Sequence, residues 1–396
     1  MNVLRRIVIA VVSLVLLLGV VFGGAWALAS ENIGKRPSVA AVQDSPQWRD
    51  GRFLNKLARV DGPMSETLRQ WFFGGGSDFA SPSGAVPVQG RVRSDYDTPP
   101  ASGLRVTWLG HSTTLIEIGG RRVLTDPMFS ERASPFSFAG PKRFYAPPLA
   151  IAALPQIDAV VISHDHYDHL DMASVRALAA RGTRFIVGLG VGARVRGWGV
   201  PSAQVTELDW WQSTTVGTLQ ITATPSRHFS GRWVHDANGT LWAGWALASP
   251  EHRVYYSGDT ALLDDMLDIG SRLGPFDLAM IEIGEYDALW SDVHLGPEQA
   301  VRASRLVAAR TMLPVHWATF DLALHGWTEP IERTLVAAAT EGVKVATPPP
   351  GGMFEPTVTL PRSRWWPDVP WKGVQDAPAY STGVAALLQR TRPTVP

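Results

Sequence analysis

Six consecutive residues, His164-Asp165-His166-Tyr167-Asp168-His169, carry the densest chemistry in the chain. Three imidazoles and two carboxylates packed this tightly serve no core. They follow IDAVVIS, an apolar run that reads as a buried strand. Where a strand ends, alternate side chains of the emerging loop point the same way, so His164 and His166 can face one ion. Asp168 and His169 lie a few ångströms further on, suited to a second. Neutral imidazole and carboxylate are good ligands for zinc and related borderline cations. The chain has no cysteine, which excludes thiolate metal sites, disulfides, iron–sulfur clusters and a cysteine nucleophile.

Four-coordinate sites need further ligands, and three residues stand where they are needed, each behind an apolar strand-like run. His228 follows LQITATPSR, Asp259 follows RVYYSG and His316 follows TMLPV. The expected grouping is His164, His166 and His228 on one ion, and Asp168, His169 and His316 on the other. Asp259 would bridge the two, since a carboxylate can serve ions about 3.5–4 Å apart. Such a pair lowers the pKa of a bridging water and supplies hydroxide at neutral pH. His111, His235, His252 and His325 are read as structural or surface residues.

The elements that must position these groups begin at Leu104. LRVTWL, TTLIEI and RRVLTD are strand-like, and Gly119-Gly120 suits a tight hairpin turn. IDAVVIS is followed by a helix, MASVRALAARG, capped by Asp171, with Val175, Leu178 and Ala179 on one face. RFIVG, QVTELD, LQITATP, WAGWALAS, RVYYSGD and DLAMIEIG are further strands. Helices are expected at 261–273, 297–309 and 329–341, and a short one at 64–73. Two groups of strands with helices interspersed predict an α/β fold, two sheets face to face with helices outside: an αββα sandwich. Among the aromatic residues, Trp210, Trp211, Trp242, Trp245, Phe129, Phe136 and Phe138 are candidates for an acyl groove or for the core.

The chain has 396 residues, 45% apolar and 18% charged, which is a foldable globular composition. Lys plus Arg and Asp plus Glu are both 36, so there is no basic field to hold nucleic acid. At the N-terminus, Arg5 and Arg6 precede an uncharged stretch from Ile7 to Ala29, 23 residues. As a helix it would reach about 35 Å, enough to cross a bilayer. Its length favours an uncleaved anchor, although Ala27-Leu28-Ala29 has the form of a signal cleavage site. With the arginines inside, the rest of the chain lies on the outer, periplasmic side, and it is periplasmic or secreted if the segment is cleaved. The expected organisation is a membrane-spanning or signal segment over 1–30, an extension over 31–100, a hydrolase domain over 101–355 and a Trp- and Pro-rich tail over 356–396.

The ligand order H-x-H-x-D-H, a lone His, Gly-Asp and a last His resembles that of the metallo-β-lactamase superfamily. More closely, the chain resembles the N-acylphosphatidylethanolamine-hydrolysing phospholipase D family. The likeness rests on TWLGHSTTLIE, LTDPMFSERASPFSFAGPKRF, LPQIDAVVISHDHYDHLD, ELDWW, TPSRHFSGR, SGDT, GPFDLAMIEIGEY, VHLGPEQAV and VHWATFDLA. It implies two zinc ions, with Mn2+ or Fe2+ as substitutes, at His164, His166, Asp168, His169, His228, Asp259 and His316. It also implies substrate contacts from Tyr167 and His294. Asp126, in LTDP, matches the superfamily's first motif and is read as support for a ligand. The implied reaction cleaves an N-acylphosphatidylethanolamine-like lipid to an N-acylethanolamine and phosphatidic acid. Asp168 would orient the nucleophile and His294 would assist the leaving group. Partners are then a phospholipid and the membrane, and a homodimer is compatible with this. The alternatives are hydrolysis of another ester such as a lactone, or a non-catalytic, membrane-tethered metal-binding envelope protein.

Overall fold

The computed structural model describes residues 3–73, 76–385 and 387. Residues 1–2 of the N-terminal segment, Gly74, Gly75 and the end of the expected tail (386 and 388–396) lie outside the described residues. The chain opens with helix α1 (Val3–Ile33), a two-strand ribbon of β1 (Trp48–Arg49) and β2 (Arg52–Phe53), and α2 (Met64–Phe73). The first half of the body holds β3 (Leu104–Gly110), β4 (Thr113–Ile118), β5 (Arg121–Thr125), β6 (Ala159–Ile162), α3 (Met172–Ala179), β7 (Arg184–Gly188), α4 (Val191–Gly197) and β8 (Val205–Leu208). The second holds β9 (Ser213–Val216), β10 (Leu219–Thr224), β11 (Gly244–Ala248), β12 (Arg253–Tyr256), α5 (Asp265–Leu273), β13 (Leu278–Glu282), α6 (Pro297–Leu306), β14 (Met312–Val315), α7 (Glu329–Glu341) and β15 (Met353–Phe354).

Two mixed sheets result, one of seven strands ordered β15-β3-β4-β5-β6-β7-β8 and one of six ordered β14-β13-β12-β11-β10-β9. The β3–β4–β5 and β9–β10–β11–β12 runs are antiparallel, and β5 to β8 and β12 to β14 are parallel. Period-two alternation sorts the side chains of the first sheet. Val106, Trp108, Ile116, Val123 and Val161 join Trp245, Leu247 and Tyr256 of the second sheet in one core. Leu115, Leu124, Val160 and Ile162 join Val175 and Leu178 of α3 and Val191 and Val195 of α4. Strands covered on both faces are mostly apolar, and the polar residues within them, such as Arg105, Thr107, Thr114, Glu117 and Glu282, are buried too.

Local signals place most boundaries. The β4–β5 turn puts Gly119 and Gly120 at φ 54° and 74°, and a Cβ on Gly119 would lie 2.7 Å from Ser249 Cβ. Asp171 caps α3, accepting from the backbone of Ala173 and Ser174. The expected helix at 261–273 starts only at Asp265, because Ala261, Leu262 and Leu263 are buried outside any helix and Leu262 N donates to Ser381 Oγ. The one expected at 297–309 ends at Leu306, before Ala308 turns left-handed (φ 61°). Helix α4 shows only one i, i+4 apolar pair, Val191 and Val195, too short a pattern to stand out among the Gly and Arg of VGARVRG.

The extension and tail pack on this body. Phe53 is fully buried, and Trp365 and Trp366 lie 5.3 and 5.5 Å from the Trp317 ring. Helix α1 is long enough to cross a membrane over Arg5–Ile33, and its most apolar 18-residue window, of mean hydropathy 2.9, is unburied. Its last turn is different: Ala29 and Ile33 are buried, Trp198 Nε1 donates to Glu31 O at 2.7 Å, and Arg232 donates to Asn32 O at 2.8 and 3.0 Å.

Candidate metal centre

Each group that sequence spacing singled out sits where a strand gives way to a loop, and the sandwich brings these strand ends to one edge. His164 to His169 follow β6, His228 follows β10, Asp259 follows β12 and His316 follows β14. All seven expected ligands meet there. His166 Nδ1 lies 2.8 Å from His164 Nε2 and 3.3 Å from His228 Nε2. Beside them, Asp168 Oδ2 lies 3.2 Å from His169 Nε2 and 3.3 Å from His316 Nε2, with those two nitrogens 3.2 Å apart. Asp259 Oδ2 faces both groups, 3.0 and 3.1 Å from His169 and His316 and 3.7 and 3.8 Å from His164 and His228.

For three of the rings, the far side fixes which nitrogen faces inward. His164 Nδ1 bonds Ser163 Oγ at 2.9 Å, His169 Nδ1 bonds Asp126 Oδ2 at 2.6 Å, and His228 Nδ1 donates to Val293 O at 2.7 Å. A proton on Nδ1 leaves the Nε2 lone pair turned to the centre. Asp126 is wholly buried and also accepts from Ser163 N, Ser163 Oγ and Tyr256 OH, so it holds the cluster from behind without facing the cavity. The backbone is bent to the purpose: His111, Asp126 and His316 all have left-handed φ, at 50°, 32° and 63°.

Do these residues fit a cation? Imidazole lone pairs 2.8–3.3 Å apart repel unless positive charge lies between them, and Asp259 Oδ1 is a buried acceptor with no partner. Oxygen and nitrogen donors without sulfur suit zinc-like divalent ions. The residues therefore fit metal. The protonation pattern points the same way. Burial pushes His164 and His228 well below the ordinary imidazole range and takes His166 down to about 4. Burial works against charge on His169 and His316 too, yet Asp259 and Asp168 hold both well above it. Burial would raise Asp168 and Asp259, but the facing His169 charge holds them well below. The facing carboxylates thus demand positive charge between these groups, which is the place of a cation.

Two residues differ from expectation. Tyr167 was expected at the substrate; its OH donates to Arg232 O at 2.8 Å and its ring lies 3.9 Å beneath the Arg232 guanidinium. It lines a separate cleft with Asn32, Phe136 and Leu170. The reason is the alternation itself: His166 and Asp168 turn to the metal side, while Tyr167 and Asp165 turn away, Asp165 to Arg194 and Gly231 N. His111, read as structural, instead joins the cluster, with Nε2 3.0 Å from Asp168 Oδ2 and its ring 4.2 Å from that of His316. The signal was present, since His111 also follows an apolar strand, LRVTWLG. His235, His252 and His325 lie outside the metal-ligating groups formed among the described residues.

His294 lines the cavity, with Nδ1 held by Glu282 Oε2 at 2.7 Å. Glu282, a carboxylate ending the apolar run LAMIE of β13, was not singled out in the sequence. The cavity over the cluster has a volume of about 370 Å³ and includes His166, Asp168, Asp259 and His316. Its apolar wall comes from Met64 and Trp71 of α2 together with Phe229, Leu289, Trp290 and Leu322. None of the seven aromatic groove candidates lines it, and Trp210, Trp242 and Trp245 are buried in the core. A larger cavity of about 560 Å³, between extension and tail, contains none of the seven expected ligands.

A family model described as the beta-lactamase superfamily domain matches residues 121–317. The chain is 46% identical over 337 residues to an uncharacterized protein of Mycobacterium tuberculosis, covering 83% of this chain and 90% of that one. It is 39% identical over 249 residues to N-acyl-phosphatidylethanolamine-hydrolyzing phospholipase D 1 of Caenorhabditis elegans, covering 60% of this chain and 69% of the other. Among solved structures, Igni18, a metallo hydrolase from the archaeon Ignicoccus hospitalis, shares the fold with a TM-score of 0.50 and 22% identity, over 64% of this chain and 98% of that one.

Proposed function

The chain belongs to the metallo-β-lactamase superfamily and is a metal-dependent hydrolase; on that premise we propose a binuclear zinc phosphodiesterase of the phospholipase D type. Its substrate is an N-acylphosphatidylethanolamine-like membrane lipid, cleaved to an N-acylethanolamine and phosphatidic acid. His164, His166 and His228 would hold one ion and Asp168, His169 and His316 the other, with Asp259 shared. When bound, the two cations lower the pKa of a water and neutralise the non-bridging oxygens of a phosphodiester.

The chain's own residues divide the remaining work. Asp168, at the mouth of the cluster, orients the attacking water, whose oxygen bonds to phosphorus as the bond to the ethanolamine oxygen breaks. His294, with Nδ1 on Glu282, presents Nε2 to the cavity and passes a proton to that departing oxygen. Met64, Trp71, Phe229 and Leu289 offer the acyl chains an apolar surface beside the charged floor. Helix α1 anchors the protein, with the body on the outer side of the membrane. Its buried last turn supports retention of the segment, because Ala29 and Ile33 pack on the folded body.

One observation carries the reading: seven side chains able to ligate metal converge in one cluster, four of them, His166, Asp168, Asp259 and His316, on the floor of an apolar-walled cavity. The test is full-length protein in mixed vesicles containing N-acylphosphatidylethanolamine, with metal content measured and products identified by mass spectrometry. Release of N-acylethanolamine that stops on chelation and returns with zinc is expected. Turnover by protein verified as metal-free would refute it, as would hydrolysis of a lactone with no phosphodiester cleaved.

A further inference from the structure

Glu282 is fully buried, and no Lys or Arg pairs with it among the ion pairs of the described residues. A carboxylate in that position is costly unless its oxygens are engaged, so its contacts reveal its purpose. Oε1 accepts from Thr260 N at 2.5 Å and Leu295 N at 3.3 Å, the residues next to Asp259 and His294. Oε2 takes His294 Nδ1 at 2.7 Å and lies 3.8 Å from His316 Nδ1. That second nitrogen is buried and has no hydrogen-bond partner, and His316 carries a strained, left-handed backbone. The strand register explains the proximity: Glu282 is paired with Val315 on β14, one residue before His316.

We propose that Glu282 is a positioning residue which, through the Nδ1 atoms of His294 and His316, orients both rings and so governs the half-site of Asp168, His169 and His316. The proposal rests on the cation-binding reading above and extends it to a residue behind the cavity. The 2.7 Å bond keeps a proton on His294 Nδ1, and the negative charge 3.8 Å from His316 Nδ1 favours a proton there as well, which leaves the Nε2 atoms to the cavity side. The His164 and His228 rings are held instead by Ser163 Oγ and Val293 O, so Glu282 bonds to neither of them. Its anchoring to Thr260 N and Leu295 N makes it a fixed point, whereas a side chain bonded only to the two rings could move with them.

The experiment compares full-length wild type with Glu282→Gln, which preserves shape and removes charge. Zinc affinity is measured by competition with a chromophoric chelator, and the absorption spectrum of cobalt-substituted protein is recorded. The expected result is one equivalent of zinc bound about 10–100-fold more weakly, the other unaltered, with the cobalt spectrum changed for the weakened equivalent only. Equal affinity for both equivalents in the variant, or equal weakening of both, would overturn the proposal. A second measurement needs no variant. In zinc-loaded wild type labelled with ¹⁵N-histidine, Nδ1 should be protonated in both His294 and His316, and a His316 protonated on Nε2 and not on Nδ1 would overturn the assignment. Wild type that binds no zinc would instead remove the cation reading beneath it.

Discussion

Replacing Asp126 with Asn isolates one atom's contribution to the centre. Asp126 Oδ1 accepts from Ser163 N at 2.7 Å, and Oδ2 accepts from Ser163 Oγ, His169 Nδ1 and Tyr256 OH at 2.5, 2.6 and 2.5 Å. The Ser163 amide cannot become an acceptor, so the Asn oxygen must stay on that side and its NH2 group takes the place of Oδ2. Three former donors then face a donor. The two hydroxyls can rotate to accept, but His169 can do so only by moving its proton to Nε2. That is the nitrogen 3.0 Å from Asp259 and 3.2 Å from Asp168, so the lone pair meant for a cation is lost. Loss of such support costs about 10–100-fold in metal affinity, or about 1.4–2.7 kcal/mol. Chelator competition on the full-length variant measures it directly. Zinc bound within twofold of wild type, in a protein that retains its cooperative melt, would show that Asp126 does not set the His169 tautomer.

Arg232 makes a different demand. It donates to Asn32 O of α1 and to Asp165 O and Leu170 O at the two ends of the histidine loop, so Arg232→Met leaves three carbonyls without their donor. At about 1–3 kcal/mol each, offset by relief of a buried charge, a net loss of about 3 kcal/mol is expected. Urea unfolding in detergent checks it, and an unchanged midpoint would mean that the anchor and the loop are not coupled. Burial pushes the Glu285 carboxyl up to about 8. A raised carboxyl stabilises the fold fully below its ordinary range near 4.5 and loses that contribution as pH climbs through about 8. Metal-free wild type should therefore lose about 2–3 kcal/mol between pH 6 and pH 9 that Glu285→Gln does not lose. Parallel pH profiles of the two proteins would argue against an uncharged Glu285.

Much of the site was legible because its chemistry is written in short range. A strand end, two-residue alternation and the residue types themselves single out His164, His166, Asp168 and His169 without reference to any other part of the chain. The same holds for the Gly119-Gly120 turn, the Asp171 cap and the length of α1, each set by backbone geometry within a few residues. His228, Asp259 and His316 were found by repeating the strand-end argument. His111 satisfied the same rule, and nothing local separates it from the others.

What only the tertiary structure decided is which side chains share a face. The alternation that aims His166 at the cavity also aims Tyr167 away from it, and the sense of that alternation depends on what Arg232 and α1 present on the other side. Glu282 looks like an intruder in an apolar strand until β13 and β14 are set in register and His316 appears beside it. The cavity's apolar wall comes in part from α2, more than thirty residues before the first body strand, where no period in the sequence refers to the metal centre. Local pattern is read by the backbone within a turn or a strand, whereas convergence depends on how two twisted sheets stack, and that is settled by packing between residues far apart in the chain.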